Sequence, residues 1–368
     1  MMDEDWSVLR SFFPSDWEEL AESTEALKGL RKDKSAEGLL RTLLIHLGCG
    51  YSLRETAVCA RESGLAELSD VAVLKRLRKS KAWLHALCLS LLAERAGAAG
   101  VFPVGTMRLF DATHVSEPGK TGSVWRVHYS VQMPSLRCDH FEITPSRGEG
   151  SGESFRHFPI GAGDHILADR GYSLASGIAH VHSKKGFVAV RYSPHNMPVE
   201  GPDGGKFELL KRLARMKTAG EARSWAVQID AGGATVRGRI CAVRKSEEAI
   251  RQTHCRLQRR ASKNGQKLKA QTLRHAEYVM VFTTFSEERF SARDVLEWYR
   301  IRWQIELVFK RFKQIAALGH LPKHDDESAQ AWLYGKLFIA LVTEKLVHHA
   351  ASISPWGYIA PPPQKSMA

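Results

Sequence analysis

The 368-residue sequence predicts an α/β protein with a helical N-terminal region and a β-rich insertion, and three observations carry that expectation. Residues Trp6 to Ala96 follow helical periodicity. Short apolar strands separated by turn residues begin beyond Ala96 to Pro103, where Gly, Ala and Pro mark a boundary. A long amphipathic helix then follows Ser291, well downstream of those strands. A chain of this length accommodates two or three domains with real cores.

In the helical region, Ser52 to Gly64 opens on a Ser cap and stops at Gly64, and Ser69 to Lys79 opens on another cap and ends basic. Two short helices with a Gly between them and a basic second helix fit a helix-turn-helix reader of DNA; a plain helical bundle fits them equally. Thr106 to Asp111, Val124 to Val131 and Cys138 to Thr144 read as three strands, followed by the Gly-rich stretch Arg147 to Ser154. That stretch lacks the Gly-Lys-Ser/Thr ending of a phosphate loop and reads as a turn into a helix. His165 to Asp169 is a fourth strand, Leu174 to Lys184 a helix and Phe187 to Arg191 a fifth strand. Ser224 to Ile229, Thr235 to Val243 and Tyr278 to Thr283 alternate like a small, mainly antiparallel sheet in which Trp225 reads as a core residue. Ser291, with Asp294 three residues on, caps the helix running towards Ala316, and a last helix covers Ala329 to Ala350 before a Pro-rich tail.

Hydrophobic residues at 43% and charged residues at 25% are the balance of an ordinary folded protein. No run of about 18 uncharged apolar residues appears, which argues against a membrane span, and Met1 to Trp6 has neither the basic start nor the apolar stretch of a secretion signal. The six cysteines (Cys49, Cys59, Cys88, Cys138, Cys241, Cys255) lack CxxC spacing, which argues against a disulfide framework or a zinc ribbon and points to a reducing, cytoplasmic setting. The formal charge of +13 suggests a polyanionic partner, and its distribution strengthens that reading. From Arg244 to Arg274 ten positions are Lys or Arg, against only Glu247 and Glu248. Such a cluster can neutralise several phosphates; a solvated helix face or arm is the alternative.

Two aspartates are marked by position. Asp111 is expected to end the strand Met107 to Phe110, and Asp169 the strand Ile166 to Ala168. An Asp there points into the groove where α/β sheets bind ligands, and two such carboxylates suit Mg²⁺ or Mn²⁺. Either Asp alone is more often a helix cap or turn former. The third carboxylate is Glu306, on the helix after Ser291. Tyr299, Arg302, Glu306 and Lys313 return to one helix face, flanked by Trp298, Ile301, Ile305, Val308, Phe309 and Phe312 on one side and by Leu296, Trp303 and Leu307 on the other. Arg302 and Glu306 at i, i+4 could be a structural ion pair. Lys313 lies about 10 Å further along the helix, beyond that pair's reach and placed for a second phosphate.

These residues resemble a known family. Tyr299, Arg302, Glu306 and Lys313 match the spacing Y-x2-R-x3-E-x6-K, the signature of the insertion-sequence-4 family of cut-and-paste DDE transposases. Phe110 to Thr113 resembles the segment around that family's first Asp, and Ala168 to Tyr172 its second, followed by Arg, Gly and an aromatic. The resemblance implies an RNase H-like mixed sheet flanked by helices, interrupted by a β-rich insertion before the Glu helix. It implies a helical DNA-binding domain over 1–100, core segments over 101–191 and 289–352, an insertion over 192–288 and a tail over 353–368. Asp111, Asp169 and Glu306 are then the catalytic and metal-holding residues, with two Mg²⁺ (or Mn²⁺) ions per site. Tyr299, Arg302 and Lys313 grip phosphates of the transposon end. The implied partners are double-stranded DNA, at terminal inverted repeats and target, and a second copy of the chain, acting in the bacterial cytoplasm at the nucleoid. A catalytically inactive DNA-binding repressor and a metal-dependent nuclease without strand joining are the competing expectations.

Overall fold

The computed structural model describes residues 3–30, 35–98, 107–116, 124–148, 150–303, 305–306, 321 and 325–353. Helices α1 (Asp3–Arg10), α2 (Trp17–Ser23), α3 (Ala36–Cys49), α4 (Leu53–Glu62), α5 (Asp70–Lys79) and α6 (Lys81–Ala98) come first. They are followed by β1 (Met107–Ser116), β2 (Val124–Gln132), β3 (Arg137–Pro145), β4 (His165–Ala168), α7 (Ala175–Ser183) and β5 (Phe187–Arg191). Then come α8 (Leu209–Leu213), β6 (Ala222–Asp230), β7 (Thr235–Arg244), α9 (Glu247–Lys263), α10 (Ala270–Ala276), β8 (Tyr278–Thr283), α11 (Ala292–Ile301) and α12 (Asp326–Ile353). The described residues fall in two compact units, one drawn from Met1–Ala99, His114–Trp125 and Phe309–Ala368, the other from Gly100–Thr113 and Arg126–Val308. Among the described residues no helix is long and apolar enough to cross a membrane.

In the first unit, side-chain caps set the helix starts: Ser35, Ser52 and Ser69 each accept a backbone N–H from three residues on, and Ser52 with Glu55 completes a capping box. Trp83 is fully buried and its Nε1–H donates to the Trp17 carbonyl at 2.9 Å, which satisfies the one polar group of a large apolar side chain. Helix α12 carries buried Leu333, Leu337, Phe338 and Leu341 and packs against α3, α5 and α6. Gly335 makes the crossing with α3 possible, because a side chain there would strike the Leu47 side chain. The family resemblance grouped this helix with the second core segment. Periodicity identified its apolar face but carried no information about which apolar face it meets.

The second unit is built on one sheet whose strands run in the order β3-β2-β1-β4-β5-β8-β7-β6. β4 pairs parallel with β1 and with β5, while β5, β8, β7 and β6 pair antiparallel in turn. The strands after residue 192, expected to form a small sheet of their own, are antiparallel as expected but continue the main sheet through β5–β8. Ile166, Ala168, Val188, Val190, Phe282, Met280, Ile240 and Ala242 share one face, where Ile178 and Val181 of α7 cover them and Trp225 packs at the margin. α11 buries Val295, Leu296 and Tyr299 and packs on β5 to β8; none of the three belongs to the α7-side cluster. Burial on both faces explains why β4 and β5 read as continuous apolar runs rather than alternating ones.

Buried Arg108 on β1 pins this end of the sheet. It donates to Asp139 of β3 at 2.7 Å, to Asp164 before β4 at 3.1 Å and to the Pro159 carbonyl, with its guanidinium over the Phe110 ring. Two carboxylates and a carbonyl satisfy one planar cation, which is what makes a charge tolerable at that depth.

Candidate active site

The parallel register assembles the site. Phe110 of β1 stands opposite Ala168 of β4, and Ala168 opposite Val190 of β5. One step on, Asp111, Asp169 and Arg191 succeed those three residues at the carboxyl ends of the parallel pairings, where neighbouring strands lie about 4.8 Å apart. Phe110, Ala168 and Val190 belong to the α7-side cluster, so side-chain alternation turns Asp111 and Arg191 towards the α11 face. Asp111 does not end its strand, as the sequence suggested. β1 runs on to Ser116, and only its pairing with β4 stops at Phe110, because β4 itself ends at Ala168. Asp169 turns back on its own loop, accepting the Gly171 N–H at 2.8 Å.

α11 brings the remaining groups. Ser291 and Asp294 form the capping box expected at its start. Past Ile301 the hydrogen bonding tightens: the Arg302 N–H bonds the Tyr299 carbonyl, and the Ile305 N–H bonds the Arg302 carbonyl, each three residues back. Such a turn advances about 120° per residue instead of 100°. Trp303, expected on an apolar flank, is 49% exposed. Arg302 still reaches both sides of the site. It lies 3.7 Å from Asp111 and 2.7 Å from Glu306, with its guanidinium over the Tyr299 ring. Glu306 is largely exposed, held to the site through Arg302. Lys313 lies outside the described residues.

Burial dominates the electrostatics. It pushes the Asp111 carboxyl up to about 7; the Ala112 amide and Arg302 pull it down, and Asp169 and Glu153 push it further up. Tyr299 is buried, which raises its hydroxyl above the ordinary value, with Arg302 and Arg191 opposing. Arg191 is lowered by burial and by repulsion from Arg170 and Arg302. Acidic and basic groups thus meet at one sheet end: Asp111, Asp169 and Glu153 beside Arg191, Arg170 and Arg302.

Sequence reasoning missed Glu153, Arg170 and Arg191. Arg191 was findable by the logic that found Asp169, since it too ends a short apolar strand. Glu153 carried no such mark. It sits in the Gly-rich stretch, where no periodicity says which way a side chain faces.

Asp111, Asp169 and Glu306 are hard oxygen donors of the kind Mg²⁺ and Mn²⁺ prefer. Among the described residues no three His, Cys, Asp or Glu side chains are gathered into a metal-holding group. The Arg302 guanidinium instead stands between two of them, 3.7 Å from Asp111 and 2.7 Å from Glu306. The donor chemistry fits a divalent ion, and a cationic group already bridges two of the three carboxylates.

The chain is similar to known proteins over most of its length. Residues 152–342 match the family described as Transposase DDE domain. The InsL protein of insertion sequence element IS186A of Escherichia coli (strain K12) is 30% identical over 366 residues, covering 96% of each chain. The transposase for insertion sequence element IS421 of Escherichia coli is 29% identical over 367 residues, again 96% of each. The transposase for insertion sequence element IS1151 of Clostridium perfringens is 34% identical over 71 residues, 19% of this chain and 15% of that protein.

Proposed function

Because the chain belongs to the DDE transposases of insertion sequences, we propose that it moves such an element by metal-dependent cleavage and rejoining of DNA. The observation that carries the reading is the row of Asp111 and Asp169 just past the end of the parallel β1–β4 pairing, with Arg302 linking Asp111 to Glu306. Ligands of α/β sheets bind beyond the carboxyl ends of parallel strands, where this row lies. The mixed sheet, with β1, β4 and β5 parallel, supports an RNase H-like core. The spacing of Tyr299, Arg302, Glu306 and Lys313 supports placing the chain in the insertion-sequence-4 group.

In this reading Asp111, Asp169 and Glu306 hold two Mg²⁺ or Mn²⁺ ions. Bound there, they supply positive charge where the attacking and leaving oxygens of an in-line displacement become negative. Arg302 releases the carboxylates to the ions and turns to DNA phosphate, joined by Tyr299, Lys313, Arg191 and Arg170. Arg191 is positioned by its strand rather than by a flexible loop, so it fixes the phosphate relative to Asp169. The substrate is double-stranded DNA at the element's terminal inverted repeats, bound by a homodimer in the cytoplasm.

The test is cleavage of a terminal-repeat duplex in Mg²⁺. Asp111→Asn, Asp169→Asn and Glu306→Gln each lower the rate by roughly a thousand-fold or more, the several kcal/mol that metal charge stabilisation supplies, while DNA binding persists. Wild-type rates in all three variants sink the proposal. Binding by the unaltered chain without nicking in Mg²⁺ or Mn²⁺ replaces it with a repressor.

A further inference from the structure

Glu153 has been drawn to an unusual place. A methyl group added at Gly171 would coincide with Glu153 Oε2 and would lie 3.1 Å from Asp169 Oδ1. Two carboxylates therefore share the space over Gly171, and a Cβ there would displace the Glu153 carboxylate from its present place. Among the described residues Glu153 makes no ion pair and no hydrogen bond. Like charges so placed repel; Arg126 offsets part of that repulsion at Glu153, and a bound cation would offset the rest.

A second, independent observation lies at the same spot. Tyr172 is 1% exposed, its ring packs against Phe155 at 5.1 Å, and its hydroxyl has no hydrogen-bond partner. Burial raises that hydroxyl well above the ordinary tyrosine range, the charges of Asp111, Glu153 and Asp169 push it further, and Arg126 opposes them. Buried hydroxyls are normally paired. One left unpaired three residues from Asp169 is a donor able to bond an oxygen brought into this site.

We propose that Glu153 is a fourth carboxylate of the divalent-cation site, ligating beside Asp169, and that the Tyr172 hydroxyl positions this pair by donating to a carboxylate or water oxygen around the bound ion. The inference rests on the reading that Asp111 and Asp169 hold a divalent ion. It also gives Gly171 a role, since a side chain there makes the Glu153 carboxylate move away from its present place beside Asp169.

Mn²⁺ binding to the full-length chain without DNA, monitored by electron paramagnetic resonance and calorimetry, tests it separately from activity. Glu153→Gln and Gly171→Ala each weaken Mn²⁺ binding by about 10- to 100-fold, and Tyr172→Phe by less, with the melting temperature recorded to show that each variant is folded. Glu153→Asp restores part of the affinity. If Asp111→Asn and Asp169→Asn lose Mn²⁺ while folded Glu153→Gln binds it like the wild type, the role of Glu153 falls and the site stands. If Asp111→Asn and Asp169→Asn also bind Mn²⁺ normally, the underlying site assignment falls with it. A Gly171→Ala variant that is folded and binds at wild-type affinity likewise overturns the proposal.

Discussion

A carboxyl group taken out of water holds its proton more tightly, and Asp111 is such a group. Its value rises from 3.8 to about 7, chiefly through burial. With the folded-state value above the unfolded one, the favourable contribution is complete below about pH 3.8, where the group is neutral in both states. It is lost as pH rises through about 7, where the folded protein must bear a buried charge. Metal-free Asp111→Asn should therefore melt with the wild type near pH 4 and above it at pH 8. A lower melting temperature at pH 8 would show that the pairing with Arg302 outweighs burial. The same substitution is expected to abolish cleavage, so stability and activity separate at one residue. Asp111, Asp169, Glu306, Tyr299 and Arg302 were all picked out in the sequence because each follows a short apolar run or stands in a fixed helical spacing. Glu153 was not, because its position depends on a gap left by Gly171, eighteen residues away in the chain.

At the scale of elements, local chemistry was the better guide. Ser52, Ser69 and Ser291 cap the helices they were expected to cap, and β8 has the expected bounds Tyr278–Thr283. One start was missed by three residues: α12 begins at Asp326, not Ala329. Asp325 sets it, accepting the Ser328 N–H at 2.9 Å and pairing with Arg78 of α5 at 2.7 Å. Burial tends to raise the Asp325 carboxyl, but bonds from Arg78 and Ser328 hold it down to about 2. That stabilisation is present above about pH 3.8 and fades as pH falls towards 2. Asp325→Ala should cost about 1 kcal/mol at pH 7 by the loss of a helix cap, read from denaturant unfolding, with the difference shrinking below pH 4. An unchanged midpoint at pH 7 would mean the cap is replaced by water.

Across the whole molecule the excess of positive charge has a visible location. α9 turns Ile250 and Ala261 inward and exposes Arg251, Arg256, Arg259, Arg260 and Lys263. Arg251 is engaged by Glu248, while the cations further along the helix stand in solvent. If this face tracks DNA backbone, replacing Arg256, Arg259, Arg260 and Lys263 by Gln weakens binding about equally for all sequences. It also reduces the slope of log affinity against log salt by about one for each phosphate no longer neutralised. An unchanged slope assigns α9 to a solvated face, the alternative the sequence left open.

Periodicity, capping residues and charge spacing are local properties, and they were enough to determine most helices and strands and to single out Asp111, Asp169 and Glu306 as candidates. Pairing is not local. The register that sets Asp111, Asp169 and Arg191 in one row, the continuation of the sheet through β5–β8 and the packing of α12 on α3, α5 and α6 join residues far apart in the chain. Only tertiary structure decided them, because each depends on which of several similar apolar faces meet and on the exclusion of side chains at positions such as Gly171.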